Sequence, residues 1–286
     1  YDWVREILGD KADNAEITML LDNGVDLHSY QPTADDIVKI SDCDLFIYVG
    51  GESDEWVEDA LRNAANENMK VINLLEVLGD SVKTEEIVEG MQEEEHEYED
   101  AEEHEHEEEA DEHVWLSLKN AKMLVRVISK ALQELDPNNK DIYAANADAY
   151  VKKLSALDAE YQAAVDAASN KTILFGDRFP FRYLVDDYGL HYYAAFVGCS
   201  AETEAGFETI SFLAKRVDEW KLPCVLTIEG AQHKIAETVV RNTTAKNQRV
   251  LTMDSMQSTT SKDVKNGTTY LSVMEKNLSV LKEALR

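Results

Sequence analysis

Four residues stand where a cation could be held: His28, His113, Asp177 and Asp254. Two neutral imidazoles and two carboxylates neutralise one divalent cation and form a four-ligand set suited to Zn²⁺. His28 follows a turn-rich DNGVD stretch, and His113 directly precedes a helix-start pattern, Val114-Trp115-Leu116. Asp177 and Asp254 each come just after an apolar run that reads as a strand. Taken singly, each has a commoner structural role. Most histidines are not ligands, and an aspartate after a strand usually caps a helix or turns the chain. All four in loops beyond strands, two from each half, are harder to dismiss.

A second concentration of donors runs from Glu93 to Glu112, EEEHEYEDAEEHEHEEEADE, with fourteen acids, three histidines and no Lys or Arg. A run of like charge cannot bury itself and is expected to stay solvated. Acids alone suit any hard cation. The interleaved His96, His104 and His106 shift the preference towards borderline ions such as Zn²⁺, Ni²⁺ or Cu²⁺. A solvating insert with incidental histidines is the bland alternative. Glu229 and His233, at the exit of the run Cys224–Ile228, are candidate auxiliary ligands. Helix capping is the competing role for Glu229, and plain surface exposure for His233. His191 reads as a strand-entry residue.

Composition excludes other classes. The net charge is −29, of which the acidic run supplies −14, leaving −15 on the other 266 residues. Such a surface repels phosphate backbones, so no nucleic acid is expected as partner. No apolar run approaches the ~20 residues that span a bilayer. The sequence opens at Tyr1 without Met or signal peptide, as expected of a mature or trimmed form, and this says nothing of location. Cys43, Cys199 and Cys224 show no CxxC spacing and read as free thiols in apolar surroundings, with one disulfide at most. Gly50-Gly51 has no GxGxxG pattern or Walker lysine after it and reads as a tight turn. There is no HExxH helix and no Gly-x-Ser-x-Gly elbow. Glu229 alone is a weak basis for a metallohydrolase, so no enzyme is expected.

These side chains need elements to hold them. Short apolar runs read as buried parallel strands at Glu16–Leu21, Asp44–Val49, Lys70–Leu75, Thr172–Phe175, Tyr192–Val197, Cys224–Ile228 and Arg249–Thr252. Helical patterns lie at Ala34–Ile40, Glu55–Asn66, Phe207–Trp220 and Ile235–Arg241. This alternation, met twice, predicts an α/β fold of two lobes with parallel sheets flanked by helices. Between them Trp115–Leu135 ends at Asp136-Pro137. Lys140–Ala168 then runs without Gly or Pro, with Tyr143, Ala147, Tyr150, Val151, Leu154, Leu157, Tyr161 and Val165 at helical spacing. Such a helix spans about 43 Å at ~1.5 Å per residue and reads as a rigid strut joining the lobes. The expected division is residues 1–138, with the acidic loop at 92–112; the linking helix 139–168; and 169–286. The metal site is expected in the cleft between lobes, beyond strand ends.

Several segments carry a family likeness: GVDLHSYQPTADDI around His28, EHVWLSLKNA around His113, YLVDDYGL at 183–190, SAETEAGFETI at 200–210 and IEGAQHKIAETV at 228–239. They resemble the metal-binding solute receptors of zinc and manganese ABC transporters, in order, over essentially the whole chain. D-x-H-x-Y-x-P-T and H-V-W-L are the more specific motifs. The resemblance implies two α/β lobes joined by one long helix, with Zn²⁺ between them. It implies an extracytoplasmic receptor, periplasmic or a surface lipoprotein, monomeric, delivering metal to an ABC permease. A His/acid-rich loop before the second ligand histidine typifies the zinc branch. Ligand roles carry over onto His28, His113 and Asp254.

The third ligand of that family falls in FGDRFPFRYL, which has no histidine. With one inserted residue Asp177 takes the place. Without it Arg178 does, and a guanidinium cannot coordinate, so Asp177 is chosen. The strand that usually precedes the helix resembled by YDWVREILG is absent from this sequence. A manganese or iron receptor is the alternative within the family, since two carboxylates harden the site. A metal-independent adhesin or interaction protein is the alternative from another class.

Overall fold

The computed structural model describes residues 1–22, 24–92, 109–200, 204–230 and 233–286. In chain order it holds α1 (Asp2–Leu8), α2 (Ala34–Asp42), β1 (Leu45–Tyr48), α3 (Trp56–Arg62), β2 (Lys70–Asn73), α4 (Leu74–Leu78), α5 (Leu118–Leu135) and α6 (Lys140–Ala167). There follow β3 (Thr172–Leu174), β4 (Arg178–Phe179), α7 (Arg182–Tyr188), β5 (His191–Tyr193), β6 (Phe196–Val197), α8 (Phe207–Trp220) and β7 (Cys224–Thr227). α9 (Lys234–Asn242), β8 (Arg249–Thr252), α10 (Ser261–Lys265) and α11 (Tyr270–Ala284) complete the series. These elements form two compact units. The first comprises Tyr1–Val82, Val114–Glu160 and Met256–Glu275; the second comprises Lys83–His113, Tyr161–Ser255 and Lys276–Arg286.

In the first unit β1 and β2 pair in parallel, Leu45 opposite Lys70 through to Tyr48 opposite Asn73. Ile40 of α2, Phe46 of β1 and Val57 of α3 form the core over this pair. α2 starts at a capping box in which the Thr33 and Asp36 side chains each accept the other's backbone N–H, at 3.2 and 2.9 Å. α5 starts where Ser117 Oγ accepts the Asn120 N–H at 3.0 Å. It buries Leu118, Ala121, Leu124, Val125, Ile128 and Leu132, an i, i+3, i+4 stripe. Each fully buried Leu contributes ~1.5–3 kcal/mol. The helix stops before Pro137, which offers no N–H to the ladder.

Glu16–Leu21 is not a strand. Residues 16–19 carry no regular structure and Leu20–Leu21 form a bend. An apolar run becomes a strand only where a neighbouring backbone takes its polar groups, and among the described residues β1 pairs with β2 alone. Leu20 still packs against the Ile40–Phe46–Val57 cluster by its side chain. Asp22 then accepts the Ser261 N–H at the start of α10, at 2.8 Å.

In the second unit the ladders are again parallel: β3 with β5, β4 with β6, and β7 with β8. A bridge between Phe175 and Leu226 sets β3 beside β7. The run Tyr192–Val197 is two strands rather than one. At the break, Ala195 N–H turns to the Asp177 carbonyl at 3.1 Å and its own carbonyl accepts Gln92 N–H at 2.9 Å. α4, β4, α7, α10 and α11 were not among the expected elements, and α4 takes Leu74 and Leu75 from the expected strand Lys70–Leu75. Leu213, Ala214 and Val217 of α8 and Ala236 and Val239 of α9 pack on Leu174 and Val225. All eight apolar positions named along α6 are buried, which is the result of spacing that keeps one face turned inward.

Candidate metal centre

His28 belongs to the first unit and lies in a 3₁₀ turn, Leu27–Ser29, whose entry is capped by Asp26 accepting the His28 N–H at 3.1 Å. Its Nδ1 is 2.8 Å from Ser53 Oγ. Ser53 is itself held by the turn after β1. There the buried Asp54 carboxylate accepts N–H groups from Val49 at 3.0 Å and Gly50 at 2.9 Å. Gly50 and Gly51 have φ of 92° and 85°, a left-handed path that glycine follows without steric cost. The tight-turn reading of this pair holds. With Nδ1 tied to Ser53, Nε2 is the nitrogen suited to a metal.

His113 lies in the second unit and its side chain is 0% exposed. One oxygen of Asp111 is 2.9 Å from His113 Nδ1 and accepts the His113 backbone N–H, also at 2.9 Å. A carboxylate only accepts, so Nδ1 carries the proton and Nε2 the lone pair. Asp111 is in turn fixed by its backbone. Its N–H donates to the Lys83 carbonyl at 2.8 Å, and its carbonyl accepts Tyr183 OH at 2.7 Å. Thr84 and Ala110 form an antiparallel bridge between these two stretches.

The expectation that the run Glu93–Glu112 stays solvated throughout therefore fails at its C-terminal end. Asp111 and Glu112 are 2% and 3% exposed. Asp111 is folded inward because the Lys83 carbonyl and the His113 backbone and ring offer it partners, which satisfies the condition for burying an acid.

Beside His113 stands Cys199. A ligand nitrogen of His113 and the Cys199 sulfur are within 4.8 Å of one another. Cys199 N–H donates to Glu85 Oε1 at 3.0 Å. Burial pushes the Cys199 thiol far above its ordinary value, and the neighbouring Glu85 charge adds to the shift. Burial also holds the Glu85 carboxyl above its usual range, against the bonds it receives from Cys199. A Cβ on Gly198 would stand 2.9 Å from His113 Cε1 and 3.0 Å from the Phe179 carbonyl. Only glycine lets this loop lie against the imidazole.

Asp177 and Asp254 are also in the second unit, each half-buried beyond a strand end. Asp177 accepts the N–H of Arg178 at 2.9 Å and of Ile228 at 3.3 Å, and the hydroxyl of Thr227 at 2.5 Å. His233 Nδ1 lies 3.1 Å from that same Thr227 oxygen. Thr227 has one proton and gives it to Asp177, so His233 donates through Nδ1. His233 is thus half-buried and bonded rather than simply exposed. Asp254 is gripped by its backbone: its N–H donates to Asn277 Oδ1 and its carbonyl accepts Asn277 Nδ2, both at 2.8 Å. Glu229 does not cap a helix. Its carboxylate accepts Ser255 N–H at 2.6 Å and Ser255 Oγ–H at 2.7 Å, next to Asp254.

His96, His104 and His106 lie outside the described residues. His191 is the exposed first residue of β5, as its reading as a strand-entry residue required. Cys43, Cys199 and Cys224 are free thiols. The residues that sequence reasoning passed over are Asp111, Glu85 and Cys199. Cys199 had a signal available, because it follows an apolar strand in a loop, as Asp177 and Asp254 do.

Over residues 1–284 the chain matches the family described as zinc-uptake complex component A, periplasmic (ZnuA). The chain belongs to the ZnuA family. Among its relatives, the zinc-binding lipoprotein AdcA of Streptococcus pneumoniae serotype 4 is 32% identical over 283 residues, 99% of this chain and 53% of that protein. The chain thus spans about half the length of that relative. The high-affinity zinc uptake system protein ZnuA of Bacillus subtilis is 30% identical over 285 residues, 100% of this chain and 84% of that protein. Among solved structures, the Zn(II)-bound ZnuA-like domain of S. pneumoniae AdcA has a TM-score of 0.74 at 28% identity, covering 100% of this chain and 95% of that one. The likeness read from the motifs is borne out, and with it parallel strands flanked by helices.

Proposed function

We propose that this chain is an extracytoplasmic receptor that captures Zn²⁺ and passes it to an ABC permease for import. Family membership and the zinc-binding names of the relatives support the cargo. The words periplasmic and lipoprotein in those descriptions support the location. The observation that carries the reading is His113. A fully buried imidazole with Nδ1 tied to a carboxylate is the arrangement that fixes the tautomer of a metal-ligating histidine. In this reading His28 and His113 bind through Nε2 and Asp254 supplies a carboxylate. Asp177, whose oxygens already receive three donors, orders the strand ends behind the ion. Capture and release need no bond-making beyond coordination, so no catalytic step is assigned.

Calorimetric titration of the metal-free chain with Zn²⁺ and with Mn²⁺ tests the proposal. One tight Zn²⁺ site per chain, with Mn²⁺ weaker, is expected once residues 93–108 are deleted. Absence of tight Zn²⁺ binding in the full chain, or a preference for Mn²⁺, overturns it.

A further inference from the structure

We infer that Cys199 is a direct ligand of the captured ion, bound through sulfur beside His113, and that this thiolate favours Zn²⁺ over Mn²⁺. The inference rests on the proposal above that His113 ligates.

The distance is right. Sulfur and nitrogen ligands at ~2.3 and ~2.0 Å around a tetrahedral ion stand about 3.5 Å apart. The present separation, within 4.8 Å, is of that order.

The loop is also built to aim the thiol. β6 ends at Val197, and Gly198 brings the backbone against the imidazole. Glu85 holds the Cys199 N–H from one side. Arg178 Nη1 donates to the Ser200 carbonyl at 3.2 Å from the other. Arg178 belongs to the very stretch, FGDRFPFRYL, where the resemblance places a third ligand that this chain does not supply as histidine. A guanidinium cannot coordinate a cation. Here it steadies the neighbouring loop that carries a residue which can. Asp177, the other candidate in that stretch, is engaged by Arg178, Thr227 and Ile228.

The charges agree. Two neutral imidazoles, the Cys199 thiolate and the Asp254 carboxylate carry −2 together and neutralise a divalent ion. In forming this set the S–H bond breaks, an S–metal bond forms and the proton leaves to solvent, with no change of oxidation state. Soft sulfur suits Zn²⁺ and disfavours the hard Mn²⁺.

The test uses Co²⁺ as an optical stand-in for Zn²⁺ on the full chain and on Cys199→Ser, Cys43→Ser and Cys224→Ser. The wild-type chain, Cys43→Ser and Cys224→Ser should each show a near-ultraviolet thiolate-to-cobalt charge-transfer band at one ion per chain. Cys199→Ser should lose the band, bind Zn²⁺ more weakly by about tenfold or more, and lose much of its preference for Zn²⁺ over Mn²⁺. A wild-type chain that binds one Co²⁺ without the band overturns the inference and leaves the receptor proposal standing. So does a band that survives in Cys199→Ser. A wild-type chain that binds neither Co²⁺ nor Zn²⁺ overturns the receptor proposal itself. If Cys199→Ser fails to fold, the wild-type spectrum still decides.

Discussion

A single carboxylate oxygen of Asp111 meets His113 twice, at the backbone N–H and at Nδ1 of the ring, each at 2.9 Å. Two contacts on one atom fix both where the histidine sits and which way its ring faces. Asp111→Ala should therefore weaken Zn²⁺ binding by ~10–100-fold, the usual cost of losing the partner of a ligand histidine. Asp111→Asn keeps an accepting oxygen and should cost less. Titration calorimetry on both, with circular dichroism to confirm folding, reads the order. Equal affinities for Asp111→Ala and wild type would falsify the orienting role.

His28 offers a graded comparison in the first unit. His28→Ala removes an inner ligand and should abolish the tight site. Ser53→Ala removes only the group 2.8 Å from Nδ1 and should cost within about tenfold, near the ~1 kcal/mol worth of one hydrogen bond. A Ser53→Ala effect as large as that of His28→Ala would mean that the serine acts in some other way.

Much of this architecture was legible in the sequence, and the failures share a cause. α6 was readable because its eight inward residues repeat at helical spacing, a property the segment carries by itself. β7 and β8 were readable for the same reason, as continuous apolar runs between polar turns. Glu16–Leu21 misled because strand formation depends on a partner backbone that no local pattern reports. Asp111 and Glu112 misled in the opposite direction: they belong by composition to a charged run and by contact to the fold. At the site, His28 and His113 stood out by residue type. Cys199 did not, since a thiol in apolar surroundings is usually inert, and its neighbours His113 and Glu85 are 86 and 114 positions away along the chain.

Asn277 is 1% exposed and bonds both backbone groups of Asp254. Asn277→Leu leaves those groups without the amide and should destabilise the protein by about 1–3 kcal/mol. It should also weaken Zn²⁺ binding if Asp254 is a ligand. Denaturant unfolding of the metal-free chain separates the first effect from the second. An unchanged midpoint would show that solvent replaces the amide at no cost.

The corner between α5 and α6 carries a pH signature. The Asp136 carboxyl accepts Asn139 Nδ2 at 2.6 Å and Tyr143 OH at 2.7 Å, and these bonds hold it below its ordinary value. A carboxyl with a depressed folded-state value lends stability above its unfolded value of ~3.9, and loses it as pH falls through the folded one. Asp136→Asn should thus lower the melting temperature at pH 7, and the gap to wild type should narrow below about pH 4. A gap independent of pH would assign the loss to something other than this charge.

Deletion of residues 93–108 removes eleven acids and three histidines while sparing Glu109 to Glu112. It should slow Zn²⁺ capture at low salt and leave the tight equilibrium site in place. Raising ionic strength to ~0.15 M, where the field reaches only about 8 Å, should close most of the rate difference. Stopped-flow capture measured at two salt concentrations checks this. Loss of the tight site on deletion would make the acidic segment the primary one.

The bridge between Thr84 and Ala110 gives the fold a splice point. A segment whose two ends are already joined adds only a slowly growing closure entropy as it lengthens, about 0.6 kcal/mol per doubling. Within residues 93–108, inside that bridge, sequence can therefore be gained, lost or exchanged with little penalty, while Glu85 and Gln92, which bond Cys199 and Ala195, must stay. Fluorescent reporters or foreign metal-capturing peptides inserted there should leave the body of the protein able to fold, which makes this junction the natural entry for building a zinc sensor.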